Sequence, residues 1–247
     1  MRLVFQHIPK CAGTSVNLAI LGHFSRSRVF SEKLNRVENY SLKELVGCDY
    51  FAGHYDAWRV GLIPGPKTVF TILREPKNRI VSLYQFWRSM TWEYINKHDL
   101  GGPRLAKSLS FEEFLKITDR GIPSNIDNVY LRTGLGRSED PALRKLIKNN
   151  PLQAMDKSIR YYSSLDFVGF MDELDDVIKF LCLELNIDSI ILPRTNTIDD
   201  INQVSYREPV QPLEISEEAN ELLDTYVLFD QQIYDYFKKS NKFSEAI

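Results

Sequence analysis

Cysteine is scarce. The 247-residue chain holds Cys11, Cys48 and Cys182, too few and too scattered for a disulfide framework or a zinc site. Cys182 falls in an apolar helical stretch and reads as core. Cys11 lies in a Pro/Gly turn and reads as a space-filling residue at a position where a thiol could also react. The sequence has no run of 18 apolar residues and no charged, apolar leader with a cleavage site. Met1-Arg2 leads straight into a strand-like segment, so the chain is expected to be soluble and cytoplasmic, with no membrane span. A large excess of charge of either sign is missing too: the formal net charge is −2. That removes a global electrostatic drive toward nucleic acid, so any anion site must be a local basic cluster. No internal repeat, low-complexity segment or Pro/Gly/Ser-rich linker interrupts the chain. With 43% hydrophobic and 26% charged residues, it is expected to form a single domain over residues 1–247.

Four short segments read as strands: Leu3–His7, Tyr50–His54, Lys67–Leu73 and Asp166–Phe170. Lys67–Leu73 is the strongest, β-branched and preceded by a loop with two Pro and two Gly. Helical patterns alternate with them: Thr14–Phe24, Pro76 to roughly Tyr94, Ser110–Ile117, Ala142–Lys148, Leu152–Ser163, Leu174–Leu185 and Ser216–Phe237. Ser110 and Glu113 have capping-box spacing, and Asp99–Pro103 reads as a break. The alternation argues for an α/β fold with a central parallel sheet flanked by helices.

The first strand ends in His7-Ile8-Pro9-Lys10-Cys11-Ala12-Gly13-Thr14-Ser15 and runs into a helix. Strand, tight loop and helix make a phosphate-binding architecture, because N–H groups and the helix dipole meet an anion at the helix start. Lys10 adds a charge, and Thr14 and Ser15 add hydroxyls. The spacing is not G-x-x-x-x-G-K-[ST]: Lys10 precedes Gly13, and no carboxylate is placed to hold magnesium. By itself the segment is better read as a shaped turn with a surface lysine, because short motifs are permissive.

Leu73-Arg74-Glu75-Pro76-Lys77-Asn78-Arg79-Ile80-Val81-Ser82-Leu83-Tyr84 decides between these readings. Arg74 sits at the carboxyl end of the best strand, where α/β sheets bind ligands. Pro76 opens a helix, and Arg79 and Ser82 share a face at i, i+3. Arg74 and Ser82 can flank one phosphate, the guanidinium binding it in bidentate fashion. Arg74, Lys77, Arg79 and Arg88 face only Glu75 in charge, and cations near a helix N-terminus oppose its dipole, a conflict that an anionic ligand would relieve.

These residues resemble a known family. The loop His7–Ser15 is similar to the 5′-phosphosulfate loop of sulfotransferases, often His-Ile-Pro-Lys-Thr-Gly-Gly-Thr-Ser. Leu73-Arg74-Glu75-Pro76 with Arg79, Ser82 and Tyr84 resembles their 3′-phosphate motif. The likeness is greatest to the branch of heparan sulfate 2-O-sulfotransferases and their bacterial relatives. Asn128–Gly134 and Phe167–Leu174 resemble later segments of that family, so matching pieces span most of residues 3–185. Cys11-Ala12 stands where the family has Thr-Gly, and Glu75 where it has Asp.

The resemblance implies a P-loop-NTPase-like three-layer domain, with a helical acceptor-side insertion over about residues 85–150. It implies the donor 3′-phosphoadenosine 5′-phosphosulfate, leaving 3′-phosphoadenosine 5′-phosphate, with no metal required. The loop Lys10, Cys11, Ala12, Gly13, Thr14 and Ser15 would hold the 5′-phosphate, through the N–H groups of Ala12–Ser15 and the two hydroxyls. Arg74 and Ser82 would hold the 3′-phosphate. Lys10 would also meet the charge on the leaving oxygen. In the resembling enzymes a His in a Gly-His step is the base, which gives that role to His54, oriented or replaced by Asp56. The acceptor would be a hydroxyl compound, an oligosaccharide or polysaccharide by the same likeness. Phe86, Trp87, Arg88, Trp92, Tyr94, Lys97, Arg104 and Lys107 suit such an acceptor or an inward-packed lid. His98 is a reserve acceptor contact, and Asn196, Tyr206 or Arg207 would close over the donor. The rival readings are a P-loop kinase or nucleotide hydrolase and a non-enzymatic phospho-ligand module.

Overall fold

The four strand-like segments become four strands in a computed structural model of the chain, which describes residues 2–119, 121–137, 140–193 and 205–240. They are β1 (Arg2–Gln6), β2 (Tyr50–Gly53), β3 (Lys67–Leu73) and β4 (Phe167–Phe170), all parallel, in the order β2-β1-β3-β4. The fold is therefore α/β, a central parallel sheet flanked by helices. The chain divides into two compact units. One comprises residues 1–74, 130–193 and 229–247, and the other residues 75–129 and 194–228.

The first unit holds the whole sheet. Its strands are apolar on both faces because both faces are covered. Val4 pairs in register with Phe51 and Val69, and these three pack against Phe30, Val37, Leu45, Tyr55, Val60 and Ile63. On the other face Phe5 stacks on Phe70 at 4.6 Å, and Phe167 stacks on Phe180 of the helix Leu174–Leu185 at 4.5 Å. The chain leaves β1 toward β2 on one side and leaves β3 toward β4 on the other. The carboxyl ends of β1 and β3 thus border the topological switch point, where open α/β sheets place their ligand crevice.

The second unit is helical. Its core joins Ile80, Leu83 and Tyr84 of the helix Pro76–Arg88 to Phe111, Phe114 and Leu115, and to Ala219, Leu223 and Val227. The capping box of Ser110 and Glu113 forms. The helix expected to reach Tyr94 stops at Arg88, because Thr91 caps a new helix, Trp92–Lys97, by accepting from the Tyr94 N–H. The break expected at Asp99–Pro103 is shorter. A helix spans Gly101–Ser108 and takes Pro103 in its first turn, where a missing N–H costs little. Short helices not read in the sequence include Leu42–Val46, with a Ser41/Glu44 capping box, and Ala57–Leu62, capped by Asp56, both in the first unit, and Pro123–Ile126 and Val129–Leu135. Among the described residues no helix is long and apolar enough to cross a membrane.

Candidate functional site

The loop after β1 turns through two left-handed residues that are not glycine, Lys10 (φ 72°) and Ala12 (φ 56°). Each such residue costs about 1–2 kcal/mol, a strain that persists where the surroundings over-determine it, commonly at ligand sites. Ala12 is the N-cap of the helix Gly13–Leu21, and no side chain caps that end. The N-cap residue thus offers the first turn no side-chain acceptor of its own, an arrangement that suits an anion. Thr14 is exposed, and Lys10 and Ser15 are half-buried. Cys11 is fully buried with its Sγ 3.7 Å from the Tyr130 hydroxyl, so it fills space beneath the loop.

Gly13 is needed for close approach. A Cβ there would lie 1.8–2.1 Å from atoms of the His7 ring. Gly13→Ala is therefore expected to push His7 aside, with an overpacking cost of about 1–3 kcal/mol and a melting temperature several degrees lower. An unchanged thermal melt would show that the ring moves away without cost.

His7 couples this loop to the end of β2. Its backbone N–H donates to the Gly53 carbonyl at 2.9 Å, and its ring lies 4.6 Å from that of His54. His54 Nδ1 is 2.8 Å from the His7 carbonyl oxygen. A carbonyl only accepts, so Nδ1 carries the proton and Nε2 keeps its lone pair. Burial lowers the His54 pKa, against an upward pull from that hydrogen bond. Burial, then His54 and Lys10, hold His7 well below its ordinary value. Both shifts favour the neutral imidazole. The group that orients His54 is a backbone carbonyl rather than Asp56. The Asp56 carboxylate bonds the Arg59 guanidinium at 2.6 Å, the Asn35 amide at 2.8 Å and the Arg59 N–H at 3.0 Å.

Arg74 follows the last residue of β3, and its Nη1 donates to the Lys10 carbonyl at 3.3 Å. The loop after β1 and the residue after β3 thus meet at the switch point. The Tyr130 hydroxyl holds the Arg74 backbone, accepting from its N–H at 3.1 Å and donating to its carbonyl at 2.6 Å. Tyr162 in turn donates to the Tyr130 carbonyl at 2.9 Å. Tyr130 was not read as a site residue in the sequence, because no motif spacing places residue 130 beside residue 74.

Ser82 lies in the second unit, half-buried on the helix Pro76–Arg88. Arg79 does not present a ligand-facing guanidinium beside it. The side chain is 1% exposed and donates to the Asn125 carbonyl at 3.1 and 3.2 Å. The expected conflict between cations and the helix dipole is resolved within the chain. The Glu75 carboxylate caps the helix, accepting from the N–H groups of Lys77 and Asn78, and Lys77 pairs with Asp224 at 2.7 Å.

Of the aromatic and basic residues between 85 and 125, Trp87 packs edge-on against Phe114. Trp92 is 44% exposed beneath Lys107, whose Nζ is 5.8 Å from the ring centroid. Tyr94 meets His98 at 4.4 Å and stacks on Tyr206 at 4.7 Å. The Arg207 guanidinium donates to Ser89 and covers Phe86. Asn196 lies outside the described residues. The sequence matches no family model, and no curated protein matches it at a significant level.

Proposed function

We propose that the chain is a sulfotransferase that moves a sulfuryl group from 3′-phosphoadenosine 5′-phosphosulfate to a hydroxyl acceptor, a carbohydrate by the family likeness, on a P-loop-NTPase-like domain. The observation that carries this reading is the meeting of the Lys10 loop and Arg74 at the carboxyl ends of β1 and β3, beside an imidazole whose protonated Nδ1 leaves Nε2 as a base. The uncapped helix start at Gly13, two nearby cations and two hydroxyls suit a multiply anionic nucleotide.

Bound, the donor supplies sulfur bonded to a phosphate leaving group. The residues do the rest. The N–H groups at the helix start and the hydroxyls of Thr14 and Ser15 hold the 5′-phosphate, and Arg74 binds a second anionic group. Nε2 of His54 takes the proton of the acceptor hydroxyl as its oxygen bonds to sulfur and the bond from sulfur to the bridging oxygen breaks. The Lys10 ammonium meets the charge that this departing oxygen gains. The His7 carbonyl keeps His54 in the tautomer that can accept the proton. The test is whether 3′-phosphoadenosine 5′-phosphate or ATP with magnesium stabilises the protein, since a nucleotide kinase or hydrolase requires the second.

A further inference from the structure

We propose that Tyr130 is a positioning residue for the anion site, one whose hydroxyl fixes the path of the chain out of β3 and so holds Arg74 against the Lys10 loop. The inference rests on the reading of Lys10 and Arg74 as donor-binding groups. β4 pairs with β3 as far as Leu73, whose carbonyl accepts from the Met171 N–H. β3 ends at Leu73, so Arg74 is the first residue beyond it. A backbone leaving a sheet must satisfy both groups elsewhere, and one buried hydroxyl does it, at 3.1 and 2.6 Å. The same hydroxyl lies 3.7 Å from Cys11 Sγ, so it also touches the underside of the loop.

The tyrosine is itself fixed. It is fully buried, and its carbonyl accepts from the hydroxyls of Tyr162 at 2.9 Å and Ser158 at 3.4 Å. Both donors come from the helix Pro151–Ser163. Gly134, one turn after Tyr130 on the helix Val129–Leu135, is required by this packing, because a Cβ there would lie 2.3 Å from the Ser158 Oγ. Rigid support of this kind is what keeps a charged group within the narrow tolerance that anion recognition needs. A phenylalanine at 130 keeps the ring and its packing but leaves both Arg74 backbone groups without this partner.

The experiment is a double-mutant cycle of Tyr130→Phe and Arg74→Ala, read as affinity for 3′-phosphoadenosine 5′-phosphate and for inorganic pyrophosphate. Binding is measured well below each variant's melting temperature, so that a less stable variant stays folded. Tyr130→Phe is expected to weaken binding about tenfold, the usual scale for a lost buried hydrogen-bond partner. The loss should shrink to less than about twofold in the Arg74→Ala background, because the tyrosine acts through that arginine. Tyr162→Phe, which loosens the support one step further from Arg74 and spares the Tyr130 hydroxyl, should weaken binding less than Tyr130→Phe does. Equal losses with and without Arg74, or no loss, would overturn the role. Wild-type binding of pyrophosphate but not of the nucleotide would overturn the sulfotransferase reading, and the cycle would then be judged on pyrophosphate. Binding of neither ligand by the wild type would overturn both.

Discussion

His54→Asn is expected to lower turnover about 10²- to 10⁴-fold, the usual contribution of a positioned base, while donor affinity stays nearly unchanged. The separation follows from the geometry. Nδ1 of His54 is committed to the His7 carbonyl, which leaves Nε2 for the acceptor hydroxyl, and the groups assigned to the donor lie on the Lys10 loop and at Arg74. The sign of the pH dependence follows as well. Burial disfavours imidazolium and lowers the His54 pKa, although the hydrogen bond to His7 opposes the shift. The base is active when deprotonated, so kcat/KM should fall only as pH drops through a value below the ordinary 6.5 and stay flat from there through neutrality. An acid limb at or above the ordinary imidazole value, or a His54→Asn variant with unimpaired turnover, would place the base elsewhere.

Lys10→Met is expected to lower kcat about 10²- to 10³-fold, the scale for removing one preorganised group from a developing negative charge. Methionine keeps most of the aliphatic stem and removes only the ammonium. The left-handed backbone at residue 10 costs the same for either side chain, so backbone strain does not separate the two proteins. A loss confined to donor KM, with kcat intact, would mean that Lys10 binds the ground state and contributes nothing particular to the transition state.

Much of this arrangement was legible in the sequence, for identifiable reasons. The β-branched run Lys67–Leu73 and the apolar ends of the other three strands are local signals, and the strand bounds agree to within one residue. Lys10 and Arg74 were readable because residues just past a parallel strand fall at one end of the sheet. What the sequence hid was long-range or carried by backbone. Asp56 was the visible partner for His54, but the actual one is a carbonyl, which has no signature in side-chain identity. Arg79 and Ser82 shared a helical face on paper. The arginine nevertheless turns inward to the Asn125 carbonyl, a contact across 46 positions that no periodicity encodes. Glu75 read as a mild departure within a motif, and in the structure it is the helix cap. The departure at Ala12 has a physical content too. That position is left-handed, so an alanine there bears a strain that glycine would not.

The central claim is that the loop of Lys10 and Gly13, with Arg74, binds a 3′-phosphorylated adenine nucleotide. A thermal melt of the full chain tests it most directly, with 3′-phosphoadenosine 5′-phosphate in one arm and ATP plus magnesium in the other. A ligand at a hundred times its Kd stabilises by about 2.7 kcal/mol, which for a chain of this size is roughly 5–10 °C. The expected result is a shift of that order with 3′-phosphoadenosine 5′-phosphate, without metal, and a much smaller one with ATP and magnesium. A large shift with ATP and magnesium alone would contradict the account.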